Sequence, residues 1–175
     1  FFFQAEDGIR DTELWLEFRR VLFRSICFRI SQDIHGELSE TEVVQYVDAI
    51  AAAIEIIDSR YQNFKFSLED VVADNCSSIG FAVGEWMPVT ADLNNLSMEL
   101  YINDNMVASG SSNDIMNNPW KSLAAATRLA AKYGEPIKKG MFIMAGAATN
   151  AEFIQAGQSA SARVQALGEV TVSFQ

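Results

Sequence analysis

The chain has 175 residues, 49% hydrophobic and 21% charged, with 13 Lys+Arg against 23 Asp+Glu and a formal charge of −10. That length predicts one globular domain, and the acidic excess argues against a nucleic-acid binder that works by neutralising phosphates. No apolar run approaches the ~18–20 residues that span a bilayer, a single histidine (His35) excludes a multi-His zinc site, and two cysteines (Cys27 and Cys76) predict a reducing, cytoplasmic setting rather than a disulfide framework.

Residues 1–25 stand apart. They hold 5 of the 12 Phe, and four Arg (Arg10, Arg19, Arg20, Arg24) against five acids. The charges interrupt any apolar core of a secretory signal, and the acids argue against a mitochondrial transit peptide. Gln4-Ala5-Glu6-Asp7-Gly8-Ile9-Arg10-Asp11 resembles a translated sequencing-adapter oligonucleotide, and Leu22-Phe23-Arg24-Ser25 resembles the end of its partner. Residues 1–25 are therefore predicted to be a non-native segment, with the natural sequence starting near Ile26 and its true N-terminus missing. The other reading is an amphipathic helix over Thr12–Phe23.

From there strands and helices intermix. Ile26, Phe28 and Ile30 alternate as a short strand. Ser39-Glu40-Thr41-Glu42 is a capping box and predicts a helix to about Ala52, with Val43, Val47, Ile50 and Ile54 as its stripe. Ala53–Ile57 reads as a buried strand. Tyr61–Phe66 is turn-like, and Ser67 caps a short helix to Ala73. Ile79–Val83 and Leu96–Ile102 read as strands, the latter hairpinned through Asn103-Asp104-Asn105 to Met106–Ser109. Pro119 opens a long helix to Tyr133, closed by Gly134. Met141–Ala145, Ala160–Gln165 and Val170–Phe174 complete the strands. The fold class predicted is α+β with two main helices.

Few residues suggest chemistry. Glu55 lies in the apolar run Ala51–Ile57, where an ionised carboxylate is costly unless it is paired or bound to a hard cation. Strand alternation also allows it to face solvent, and spacing alone slightly favours that. Asp74-Asn75-Cys76-Ser77-Ser78 offers carboxylate, amide and hydroxyl groups, though such runs are more often plain turns. Arg60 suits a substrate carboxylate, or else an ion pair with Asp58, Asp70 or Asp74. Gly146-Ala147-Ala148-Thr149 offers backbone N–H groups to an anion but lacks P-loop spacing.

Ala53-Ile54-Glu55-Ile56-Ile57-Asp58-Ser59-Arg60-Tyr61-Gln62-Asn63-Phe64-Lys65-Phe66, followed by Val71–Ser78, closely resembles the 2-keto-4-pentenoate hydratase / 4-oxalocrotonate decarboxylase family. That family belongs to the larger fumarylacetoacetate-hydrolase-like superfamily. The Ser-Arg-Tyr-x-Asn-Phe-Lys-Phe form looks more like the decarboxylase branch. Asn118-Pro119, Phe142–Thr149 and Leu167–Val170 agree more weakly. Residues 26–175 would then be the C-terminal part of a catalytic domain.

The resemblance implies a mixed β-sandwich or roll, incomplete at its N-terminus, and one Mg²⁺ or Mn²⁺ held by three glutamates. Glu55 matches one of them. The other two, a Glu-x-Glu pair, would stand just before Ile26, where Arg24-Ser25 stands here. The implied reaction decarboxylates 2-oxo-3-hexenedioate (4-oxalocrotonate) to 2-hydroxypenta-2,4-dienoate through a dienolate that the metal stabilises. Hydration of 2-keto-4-pentenoate is the alternative, an inactive fragment or non-catalytic subunit a further one, and an acylpyruvate hydrolase a third. The implied catalytic residues are Asp74 and Ser77, with Arg60, Lys65 and Asn75 binding a small 2-oxo acid. A homo-oligomer and a decarboxylase–hydratase complex are the implied assemblies.

Overall fold

The computed structural model describes residues 20–89, 92–148 and 151–175. Most of the predicted foreign segment, residues 1–19, and the helix read over Thr12–Phe23 up to that point, lie outside the described residues. Two antiparallel sheets pack face to face. The first has strands β1 (Arg20–Ile30), β2 (Val47–Ile57), β3 (Ser78–Val83), β4 (Met87–Pro88), β7 (Phe142–Met144) and β8 (Glu152–Ile154), ordered β3-β2-β1-β7, with β4 against β2 and β8 against β1. The second has β5 (Ser97–Ile102), β6 (Asn105–Ser111), β9 (Ser159–Val164) and β10 (Gly168–Ser173), ordered β10-β9-β5-β6. Among the described residues three α-helices, α1 (Glu40–Val43), α2 (Leu68–Ala73) and α3 (Pro119–Tyr133), lie between strands in the chain.

The predicted helix over residues 39–52 is corrected. The capping box forms, with Glu42 N–H donating to Ser39 and Ser39 N–H to Glu42. The helix stops at Val43, a single 3-10 turn follows, and β2 begins at Val47. The reason is burial on both faces. Ala51, Ala52 and Ala53 are all fully buried, so β2 shows a continuous apolar run rather than alternation. In that run the Val47, Ile50 and Ile54 spacing imitates a helical stripe.

β1 is longer than its predicted Ile26–Ile30. It pairs with β2 from Val21↔Ile57 to Ile30↔Val47. Its even-numbered residues Leu22, Ile26, Phe28 and Ile30 join Ile50, Ile54, Met98, Leu100, Ala162 and Val164 in the core between the sheets. The Phe28 ring stacks on Trp120 at 4.7 Å, which ties α3 to β1.

Other predicted signals hold, whereas Arg20–Phe23 lie in β1 and not in the helix of the alternative reading. Leu96, Met98, Leu100 and Ile102 are buried together, and Asn103 and Asp104 take positive φ at the hairpin turn. In α3, Asn118 accepts from Trp120 N–H at 3.0 Å, and Gly134 adopts φ 71° as the left-handed stop. No described helix is long and apolar enough to cross a membrane.

Candidate functional site

The end of β2 positions the candidate groups. Glu55 is half-buried, in register with Phe23 on β1 and Phe81 on β3. Burial pushes its carboxyl pKa up, and a hydrogen bond from the Ser78 side chain partly opposes this. Ser78 is brought near because it pairs with Ile57, two residues along the same face.

Past β2, one compact knot forms. Asp58 N–H donates to Ser77 O at 2.8 Å, which docks the Asp74–Ser78 loop onto the strand end. Within the loop, the Asp74 carboxylate accepts from Arg60 N–H at 3.2 Å, from Ser77 Oγ at 3.1 Å, and from the Arg60 guanidinium as an ion pair. The Asp74 side chain is 2% exposed while that of Arg60 is 68% exposed. Burial alone would push the Asp74 carboxyl pKa up, but the Arg60 and Ser77 hydrogen bonds together outweigh it and hold the group below its usual range. Asn75, Cys76 and Ser77 follow one another at φ 52°, 54° and 59°. Three successive non-glycine residues in that region store backbone strain, which packing must over-determine.

Of the residues singled out in the sequence, Arg60, Asp74 and Ser77 come together. The Arg60 pairing is the ion pair to Asp74 that its alternative reading named. Asn75 is exposed and donates from Nδ2 to Ser78 O at 3.2 Å, and Lys65 is exposed outside the knot. The 146–149 loop does not aim two of its N–H groups at an anion. Gly146 N–H donates to Ser25 Oγ at 3.2 Å and Ala148 N–H to Arg24 O at 3.3 Å. Thr149 is outside the described residues. The Cys27 thiol is buried and pushed up to about 12, which makes it inert.

Sequence reasoning missed the Ser78–Glu55 contact. Its only trace was the extra serine closing the Asp74–Ser78 run. It also missed Arg24, which faces the core.

A hard divalent cation needs several oxygen ligands. Among the described residues no group of three His, Cys, Asp or Glu side chains converges to hold one. Phe23 lies opposite Glu55, and Ser25 lies one step along the same face opposite Ala53. As they stand, these residues do not fit a three-carboxylate site. Two results should follow. Added Mg²⁺ leaves the melting temperature unchanged, and Glu55→Gln raises stability at neutral pH. The raised carboxyl makes stability greatest below the unfolded value of about 4.3. It is lost as pH rises through the folded value, and the Gln variant removes that loss. Differential scanning calorimetry between pH 4 and 8 reads both effects.

Known proteins resemble this chain in sequence and in fold. A 4-oxalocrotonate decarboxylase of Pseudomonas sp is 44% identical over 148 residues, covering 85% of this chain and 58% of that protein. A 2-keto-4-pentenoate hydratase of Paraburkholderia xenovorans is 27% identical over 153 residues, covering 86% of this chain and 57% of its own length. The structure of 4-oxalocrotonate decarboxylase from Pseudomonas putida G7, complexed with magnesium and adipate, superposes with a TM-score of 0.85 at 32% identity, over 90% of this chain and 61% of that one. The chain thus spans less than two thirds of the length of these relatives. With a family match over residues 25–175 that takes in strands of both sheets, Glu55 on β2 and the Asp74 loop, the chain belongs to the fumarylacetoacetate (FAA) hydrolase C-terminal family.

Proposed function

We propose that residues 26–175 are the C-terminal part of a 4-oxalocrotonate decarboxylase. The observation that carries this reading is the 44% identity to a decarboxylase, against 27% to a hydratase, on a shared fold. The reaction breaks the C5–C6 bond of 2-oxo-3-hexenedioate. The electron pair shifts along the conjugated chain to the keto oxygen, CO2 leaves, and the oxygen takes a proton to give 2-hydroxypenta-2,4-dienoate. The site must therefore bind a dianion, place the remote carboxylate out of the carbon plane, and keep water from the diene.

This chain's residues suit parts of that task. Asp74 and Ser77 are assigned beside the substrate, and Asn75, Lys65 and Arg60 to its binding. Arg60 keeps Asp74 ionised, so Asp74 is suited to orient neighbouring groups as a hydrogen-bond acceptor rather than to exchange a proton. In the relative from Pseudomonas putida G7 magnesium is bound. We assign the same dependence, on Mg²⁺ or Mn²⁺, to the whole enzyme, with Glu55 as this chain's contribution. A cytoplasmic place, a homo-oligomer and a complex with a hydratase belong to the same reading.

The second reading is 2-keto-4-pentenoate hydratase, supported by the 27% identical relative. A hybrid separates the two. The segment before Ile26 is replaced by the corresponding N-terminal part of the 44% identical Pseudomonas decarboxylase, and the product is assayed with Mg²⁺. CO2 release from 2-oxo-3-hexenedioate without hydration of 2-hydroxypenta-2,4-dienoate is the expected result. Hydration without CO2 release shifts the assignment to the hydratase, and a folded hybrid inactive on both substrates overturns both.

A further inference from the structure

We infer that Phe23–Ser25, in the first half of β1, are not the sequence for which this fold is built: they supply strand backbone, while Arg24 does not suit the core and Phe23 and Ser25 do not suit the site. Three observations converge on this.

On the core face, Arg24 occupies the row of Leu22, Ile26 and Phe28 and lies opposite Ile54. It is 1% exposed, and its Nε, Nη1 and Nη2 atoms have no hydrogen-bond partner. Glu152, Asp114 and Glu99 act on it only as charges through space, and burial dominates, pushing its pKa down. A fully buried guanidinium with five N–H donors and no acceptor is among the costliest arrangements a core can hold. Leu22, Ile26, Phe28 and Ile30, which share that row, are all apolar.

On the opposite face, Phe23 and Ser25 stand where the groups facing Glu55 are decided. A phenyl ring against a half-buried carboxylate neither pairs it nor shares a cation with it. One strand segment is therefore mismatched on both of its faces, by two unrelated kinds of chemistry.

The third observation is positional. The family match begins at residue 25, one residue beyond Arg24. From Ile26 onward β1 has no mismatch: Ile26, Cys27 and Phe28 are fully buried and apolar. The start of the family-model match and the change in packing fall within one residue of each other. The inference is independent of which reaction the family site performs.

Two experiments test it. In the first, Arg24→Leu is made in the 175-residue chain and both proteins are unfolded in urea. The variant is expected to be at least tenfold more stable in its folding equilibrium constant. Amide exchange at residues 22–25, faster than at residues 26–30 in the parent, should slow to match. Unchanged or lower stability, including failure to fold, overturns the inference. So does stabilisation by sulfate or adipate that is present in the parent and lost in Arg24→Leu, because Arg24 would then be a built anion site. In the second experiment the codons for residues 20–25 are read from fresh source DNA. A different upstream sequence in the same frame supports the inference, and the same codons, uninterrupted, overturn it.

Discussion

Asp74→Ala is expected to lower the stability of the chain by about 3 kcal/mol, the sum of a lost charge-assisted hydrogen bond and newly unsatisfied buried donors. The carboxylate is the common acceptor for Arg60 N–H, the Arg60 guanidinium and Ser77 Oγ. Removing it leaves the Ser77 hydroxyl and the Arg60 amide without partners in a segment already held at three positive φ angles. Asp74→Asn should cost less, because an amide oxygen still accepts from both neutral donors.

The same carboxylate sets an acid limit. Its folded pKa lies below the unfolded value of about 3.9, so its contribution is complete above that value and is lost as pH falls through the folded one. Urea midpoints measured from pH 7 down to pH 2 should fall more steeply for the parent than for Asp74→Asn. A change under 0.5 kcal/mol in Asp74→Ala would show that the knot is not what holds this loop.

Gly84→Ala is the second large effect, expected at about 2 kcal/mol of destabilisation, within the range for overpacking a closed interface. A Cβ at residue 84 meets Glu169 O at 2.8 Å and Ala52 O at 3.3 Å. Both are backbone atoms, one from each sheet, so no side chain can swing away to make room. Gly84 N–H also donates to Ala52 O at 2.9 Å, which fixes the approach. Gly80 is the control. A Cβ there touches only Ile56 Cδ1 at 4.0 Å, so Gly80→Ala should change stability by less than about 0.5 kcal/mol. Thermal melts of the two single variants decide the matter, and equal shifts would exclude a special approach at Gly84.

Local chemistry was legible in the sequence wherever a signal stays within a few residues. The Ser39 capping box, the Ser67 N-cap, the Asn103-Asp104 turn, and the Asn118-Pro119 start and Gly134 stop of α3 all formed as read. What failed was period-reading in β2, because a strand buried on both faces loses alternation and its alanines favour helix on propensity alone. Site composition was half legible. Asp74, Ser77 and Arg60 announced themselves by residue type, but that Arg60 closes on Asp74 depends on how the loop after β2 folds back, which no spacing encodes. The half-burial of Glu55 likewise depends on Phe23 and Phe81, which lie on other strands.

The second sheet is made of two hairpins, β5–β6 and β9–β10, each closed by a short turn. They are joined along a single seam that pairs Met98 with Val164 and Ile102 with Ala160. Each hairpin can find its register from local contacts, but the seam must close a loop that contains α3, β7 and β8. Loop-closure entropy grows only slowly with length, yet contacts so distant in the chain are the ones that slow folding. The order of assembly follows: turns first, hairpins next, and the β5–β9 seam as the step on which the second sheet waits.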